Sequence, residues 1–326
     1  MIELIQLTKK FGDLVAVNDI NLTIPRGEFF AMLGPNAAGK TNTLKMLAGL
    51  MKPTSGSTRV CGFDMQTQPI EARRRIAYVP DFPFLYDKLT AWEFFRFTGQ
   101  LFQMPDARIE AGAQELVTRF HLADFVNRPL ESLSHGTRQR VAIVSALLHE
   151  PEVFVIDEPM IGLDPQHARV VKDVLKERSR AGVSILLSTH QLSVAEEMAD
   201  RIGIVHGGRL IAVGNRDELR QQSGNTGQLE EIFLALTAGE TAGPTEPVPF
   251  AEAARQRLVL PAPGNPLRTF IENAAARAGL PLHVALEVDG PGPRRNAVLA
   301  GLGSTIFGAH SVHGRADRDG VTARPI

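Results

Sequence analysis

Three groups of residues in this chain have the types and spacing to handle phosphate chemistry. The run Gly34-Pro35-Asn36-Ala37-Ala38-Gly39-Lys40-Thr41 fits G-x-x-x-x-G-K-[ST]. It lies between the apolar stretch 29–33 and a helical-looking segment 41–50, the strand–loop–helix setting that gives the pattern mechanical meaning. A loop turning sharply off a strand into a helix points successive N–H groups, and the positive end of the helix dipole, at one spot where phosphates can sit. Lys40 then reaches the β- and γ-phosphates and Thr41 offers its hydroxyl to Mg²⁺, so the expected ligand is a nucleoside triphosphate. The second group is Asp157-Glu158, delivered by the buried-strand run Val153-Phe154-Val155-Ile156. Two carboxylates at the carboxyl end of a strand can divide the work: Asp157 holds Mg²⁺, and Glu158 orients and deprotonates the water that attacks the γ-phosphate. The third is His190, which ends the run Leu186-Leu187-Ser188-Thr189 at a comparable height, read here as being in register with Asp157.

These groups need a particular frame. Strand-like runs at 2–7, 14–17 and 20–24 lead into the loop, and a helical middle follows, with apolar residues at three- and four-residue spacing over 91–101 and 107–121. Strands and helices then alternate: 153–156 as strand, 166–180 as helix, 184–188 as strand, 194–199 as helix. The pattern predicts an α/β fold with a mostly parallel sheet core covered by helices, an antiparallel β subdomain at its start and a helical subdomain inserted.

A length of 326 residues suggests two domains. Formal net charge is −1 with both signs dispersed, so no nucleic acid is expected as a partner. Cys61 is the single cysteine, which leaves no intrachain disulfide or thiolate metal cluster and fits a reducing compartment. No stretch approaches the roughly 20 apolar residues of a membrane span, and Met1-Ile2-Glu3-Leu4 begins as a strand rather than a secretory leader. A cytosolic, soluble chain is expected. Composition shifts near Thr237: no Lys follows Lys176, and about half the prolines fall after residue 240. The stretch TAGETAGPTEPVP (237–249) reads as connecting chain, giving an expected division into 1–237, a linker at 238–254, and 255–326.

The segment Leu133-Ser134-His135-Gly136-Thr137-Arg138-Gln139-Arg140 opens another helix, with Ser134 as a natural N-cap and Gly136 allowing an anion close to the backbone. With this segment in place, residues 1 to about 237 resemble the nucleotide-binding subunits of ABC transporters, P-loop NTPases of the ABC type. The resemblance rests on the phosphate loop, LSHGTRQR as signature, VFVIDEP as Walker B strand, Ile161-Gly162-Leu163-Asp164 as D-loop and STH as switch histidine. The stretch 229–237 looks like the end of ATPases from the branch paired with separate export-type permeases. The resemblance implies ATP held by residues 34–41 and Asn42, with Phe11 stacked on adenine. It implies Asp81 in a loop coupled to the permease, Ser134 and Gly136 on the γ-phosphate held by the opposite protomer, and Asp81 and the D-loop's Asp164 among the nucleotide-binding residues. It further implies a homodimer or heterodimer of such subunits closing over two ATP and Mg²⁺, peripheral on the cytoplasmic face of the membrane, driving an integral-membrane permease. Four positions depart from the family pattern: Ala37 and His135 replace usual glycines, Asn42 a usual Thr or Ser, and Asp81 a usual Gln or Glu. Weakened ATP binding is expected from the first and third, and His135 reads as a solvent-facing side chain.

Residues 255–326 read as a small β-α-β pattern: strand 257–260, helix 266–278, strand 282–288. The span 257–312 resembles the second half of the effector-binding domain of LysR-type regulators, in PLRTFIENAAARAGL, LHVALEVD and VLAGLGSTIFGAHSV, with Gly308 where that family has Pro. The family's winged-helix DNA reader and the first half of its effector domain have no counterpart, so DNA binding is not implied. A regulatory or degenerate ABC-fold protein with a ligand-sensing tail is the alternative reading.

Overall fold

The computed structural model describes residues 1–223, 229–238, 250–289, 297 and 302–306, and divides into two compact units, Met1–Gly239 and Glu240–Ile326. The first unit runs β1 (Ile2–Phe11), β2 (Leu14–Ile24), β3 (Phe29–Leu33), α1 (Lys40–Leu47), β4 (Ser55–Val60), β5 (Phe63–Asp64), α2 (Pro69–Arg73) and β6 (Ile76–Val79). It continues through α3 (Ala91–Leu101), α4 (Asp106–Arg119), α5 (His135–Leu147), β7 (Val153–Asp157), α6 (Pro165–Arg180), β8 (Ser184–Thr189) and α7 (Leu192–Met198). It closes with β9 (Arg201–His206), β10 (Arg209–Gly214), α8 (Arg216–Ser223) and α9 (Leu229–Ala238).

The core is a six-stranded sheet in the order β10-β9-β3-β8-β7-β6, parallel throughout except for β10. Its central strands β3, β7 and β8 are buried at every position because both faces are covered, and their polar residues, Ser184, Ser188, Thr189 and Asp157, lie at strand ends. Neighbouring residues on a strand point to opposite faces, so Phe154 and Ile156 join Phe95, Phe120 and Leu187 in one core, while Val153 and Val155 join Phe30, Met32, Leu44 and Leu186 in another. A four-stranded sheet, β2-β1-β4-β5, is antiparallel and carries the early hairpin. The two short runs at 14–17 and 20–24 form one strand; the interruption is a bulge, where Asp19 takes φ 52° and the pairing with β1 slips register. Helices α3, α4 and α5 form the inserted helical part. A capping box between Thr90 and Glu93 starts α3. The Arg140 guanidinium donates to the carbonyls of Phe120 (2.7 Å) and His121 (3.2 Å), closing the last turn of α4.

The second unit contains α10 (Phe250–Ala254), β11 (Arg257–Leu260), α11 (Pro266–Ala278) and β12 (His283–Glu287), with β11 and β12 paired in parallel. The expected linker at 238–254 is corrected at its end. Residues 250–254 are helical because Phe250 and Ala254, four apart on one face, pack inward: Ala254 is fully buried and Phe250 lies on the small core of Leu258, Leu260 and Ile271. Residues 239–249, and Gly308 with most of the segment around it, lie outside the described residues.

Candidate nucleotide site

The phosphate loop leaves β3 and enters α1 through Gly39, whose φ of 104° only glycine adopts freely; a Cβ there would stand 2.5 Å from the Ala16 carbonyl oxygen. The first turn of α1 has no side-chain cap and no acidic residue, so its N–H groups face the loop's concavity unanswered by a side chain. Lys40 is buried, and its ammonium donates to the carbonyls of Gly34 (2.7 Å) and Pro35 (3.0 Å). Burial holds its pKa below the ordinary lysine value, against the pull of the Glu158 and Asp157 carboxylates nearby. Ala37 is exposed and sits in the left-handed region at φ 64°. Pro35 and Asn36 complete the turn, Ala38 is buried at 4% exposure, and Asn42 is half-buried on α1.

Asp157 is the last residue of β7 and is 1% exposed. Its Oδ2 accepts a hydrogen bond of 2.7 Å from the Thr41 hydroxyl, while Oδ1 has no partner within the protein. A buried carboxylate oxygen in that state is costly unless something cationic or protic completes it. An aliphatic hydroxyl beside a carboxylate is the hard-oxygen set that suits Mg²⁺, which keeps waters and phosphate oxygens for its remaining positions. Among the described residues there is no group of three or more His, Cys, Asp or Glu able to cage a metal ion. Thr41 and Asp157 would hold the Mg²⁺.

Glu158 begins the turn after β7 with φ 45°, and its N–H donates to the Ser188 carbonyl at 2.9 Å. Its carboxylate accepts from His190 Nδ1 at 2.7 Å and from the Thr189 hydroxyl at 3.2 Å. The expected register of His190 with Asp157 is therefore corrected. β7 and β8 pair Asp157 with Ser188, which leaves His190 beyond the strand end, where it folds onto Glu158. Thr189, the second group fixing Glu158, was not singled out by sequence; its place just before His190 was the available signal.

Ser134 caps α5, accepting from the Thr137 N–H at 3.3 Å. Gly136 matters for packing within the chain: a Cβ there would meet the Gly162 carbonyl oxygen at 2.6 Å. His135 is not a free surface side chain. It stacks on Phe82 with 5.4 Å between ring centroids and closes over Gly162. Asp164 caps α6, accepting from the His167 N–H at 3.0 Å and ring Nδ1 at 2.5 Å, and these bonds hold its carboxyl below the usual range. Asp81 is exposed just past β6, where its carboxylate accepts from the Phe82 N–H at 2.8 Å. Phe11 is half-exposed at the end of β1 beneath the Lys9 ammonium. The loop residues, Asp157, Glu158 and His190 thus converge at the carboxyl ends of β3, β7 and β8, while Phe11 at the end of β1, Asp81 past β6, and the helix caps Ser134 and Asp164 lie on other elements.

The chain is similar to known proteins in sequence and in fold. A model of the ABC transporter family matches residues 17–161. ABC transporter ATP-binding protein NatA of Bacillus subtilis (strain 168) is 35% identical over 240 residues, 72% of this chain and 97% of its own length. The chain belongs to the ABC transporter family. The probable multidrug ABC transporter ATP-binding protein YbhF of Escherichia coli (strain K12) is 36% identical over 240 residues, and the match spans only 41% of that relative. Among solved structures, the dimeric ATP-binding cassette MJ0796, in a post-hydrolysis state bound to ADP and Pi, is similar with a TM-score of 0.61 and 28% identity, covering 66% of this chain and 98% of that one. A model of the LysR substrate binding domain matches residues 228–326, so the tail of this ABC chain carries the second family's pattern as well.

Proposed function

We propose that this chain is the ATP-binding and ATP-hydrolysing subunit of an export-type transporter, pairing with a second such subunit over two ATP to drive a separate membrane permease. The observation that carries the reading is the convergence of three contacts: Lys40 on the loop carbonyls, Thr41 on Asp157, and His190 on Glu158.

In this mechanism the first-turn N–H groups of α1 and the Lys40 ammonium bind the β- and γ-phosphates, and the Gly34 and Pro35 carbonyls fix the ammonium's direction. Mg²⁺, when bound, draws charge from the phosphate oxygens. Glu158 orients the water and accepts its proton. His190 and Thr189 hold the Glu158 carboxylate in place, and the free Nε2 of His190 is left to meet the γ-phosphate. Ser134 and Gly136 contact the triphosphate of the partner subunit, which is why the site works as a pair; the MJ0796 dimer supports this pairing.

Past β6, Phe82, Phe84 and Tyr86 are 63%, 89% and 59% exposed. So much aromatic surface on one loop fits a docking partner, here a cytoplasmic segment of the permease. No helix among the described residues is long and apolar enough to cross a membrane, so the permease would supply the span and hold this chain at the cytoplasmic face. The LysR match favours a second reading, in which the tail senses a small molecule and modulates the ATPase.

Glu158→Gln tests the main reading. It should keep MgATP binding while cutting hydrolysis by at least ~100-fold, the usual share of a positioned general base. Turnover unchanged by this substitution would defeat it.

A further inference from the structure

Behind the metal-binding carboxylate, three oxygen atoms are buried with no partner in the protein: Asp157 Oδ1, Ser188 Oγ and the Tyr78 hydroxyl. Strand register puts them on one face. Asp157 is aligned with Ser188 across the β7–β8 ladder, and Tyr78 with Val155 across β6–β7, two residues before Asp157. Residues at i and i+2 share a face, and a long aromatic side chain reaches the diagonal neighbour on the next strand. The packing agrees: Tyr78 lies against the core containing Val155, Leu186 and Met32, the face on which Asp157 meets Thr41 of α1. Isolated, each oxygen would bear the cost of a lost hydrogen bond. Clustered, two hydroxyls and a carboxylate provide the several polar partners that one buried water requires.

We infer that Tyr78 is a positioning residue for Asp157, its hydroxyl acting with that of Ser188 through a shared water to fix the carboxylate that holds the metal. Groups that orient a metal's ligand tune its affinity without touching the ion. This inference rests on the metal-dependent reading proposed above.

The test uses the full chain and a non-hydrolysable ATP analogue, with free Mn²⁺ followed by electron paramagnetic resonance. Tyr78→Phe keeps the ring and removes one oxygen; Ser188→Ala removes the other hydroxyl. Each should weaken Mn²⁺ binding by roughly tenfold, while affinity for the analogue in EDTA stays within twofold of the unaltered chain. Mn²⁺ affinity within twofold in both variants would overturn the inference and leave the ATPase reading intact. An equal loss of analogue affinity in EDTA would also overturn it, because the damage would then be to the fold of the site. If the unaltered chain bound neither Mn²⁺ nor the analogue, both readings would fall together.

Discussion

A left-handed backbone angle costs an L-residue about 1–2 kcal/mol that glycine does not incur, and Ala37 holds φ 64°. The cost falls on the loop backbone, so the expectation is that it weighs on the stability of the fold more than on ligand affinity. Ala37→Gly should therefore raise stability by about 1 kcal/mol in denaturant titration and move the MgATP Kd by less than about threefold. That differs from the weakened binding expected from residue type alone. His149 gives a second test. It stacks on Phe102 at 3.7 Å, and burial pulls its pKa down from 6.5 to about 4. Between those two values the unfolded chain binds a proton that the folded chain excludes, so stability falls as pH drops from about 6.5 towards 4, by roughly 3 kcal/mol at the acid end. His149→Phe should flatten that part of the pH–stability curve measured by thermal melts. The placement of the loop, Asp157 and Glu158 at strand ends was legible in sequence because short-range spacing fixes it. The partner of His190 was not, since it depends on which residues of β7 and β8 lie side by side.

Among the elements, the helical insert packs into the core around Phe95 and Phe120 and adds polar contacts that can be removed one at a time. Thr90→Ala breaks the capping box of α3 and should cost about 1 kcal/mol while leaving MgATP affinity unchanged, as read by melting with and without nucleotide. The loop after β6 offers the opposite case. Phe84 is 89% exposed and touches neither the phosphate loop nor the carboxylates by any described contact, so Phe84→Ser should leave basal hydrolysis within twofold and diminish stimulation by a reconstituted permease. Elements with a clear period, α3 and α6 among them, were readable from the chain alone. β6 was not: Ile76-Ala77-Tyr78-Val79 follows three arginines, is four residues long, and becomes a strand only by pairing with β7. β9 and β10 were passed over for a similar reason, since Gly203 and the Gly207-Gly208 turn blur their apolar runs. At 250–254 the Pro-rich approach hid a helix whose buried Ala254 and partly buried Phe250 are its reason to form.

Taken as a whole, the chain concentrates every residue of the proposed chemistry in Met1–Gly239, with the LysR-like pattern beyond. Removal of residues 240–326 should leave MgATP affinity within about twofold; a larger loss would favour the sensing tail. The placement of β3 in the central sheet has one more consequence. Its two neighbours are β8 and β9, so the strand that launches the phosphate loop ends at Leu33 while its first partner begins only at Ser184. Gly34 in turn lies so close to the Val205 carbonyl that a Cβ could not fit between them. On a ribosome adding ~5–20 residues per second, that stretch takes roughly 8–30 s to appear. During that interval the early hairpin can form, but the phosphate cradle lacks two of its walls. A nascent chain arrested before residue 205 should thus be unable to retain ATP, however well its first hundred residues have collapsed.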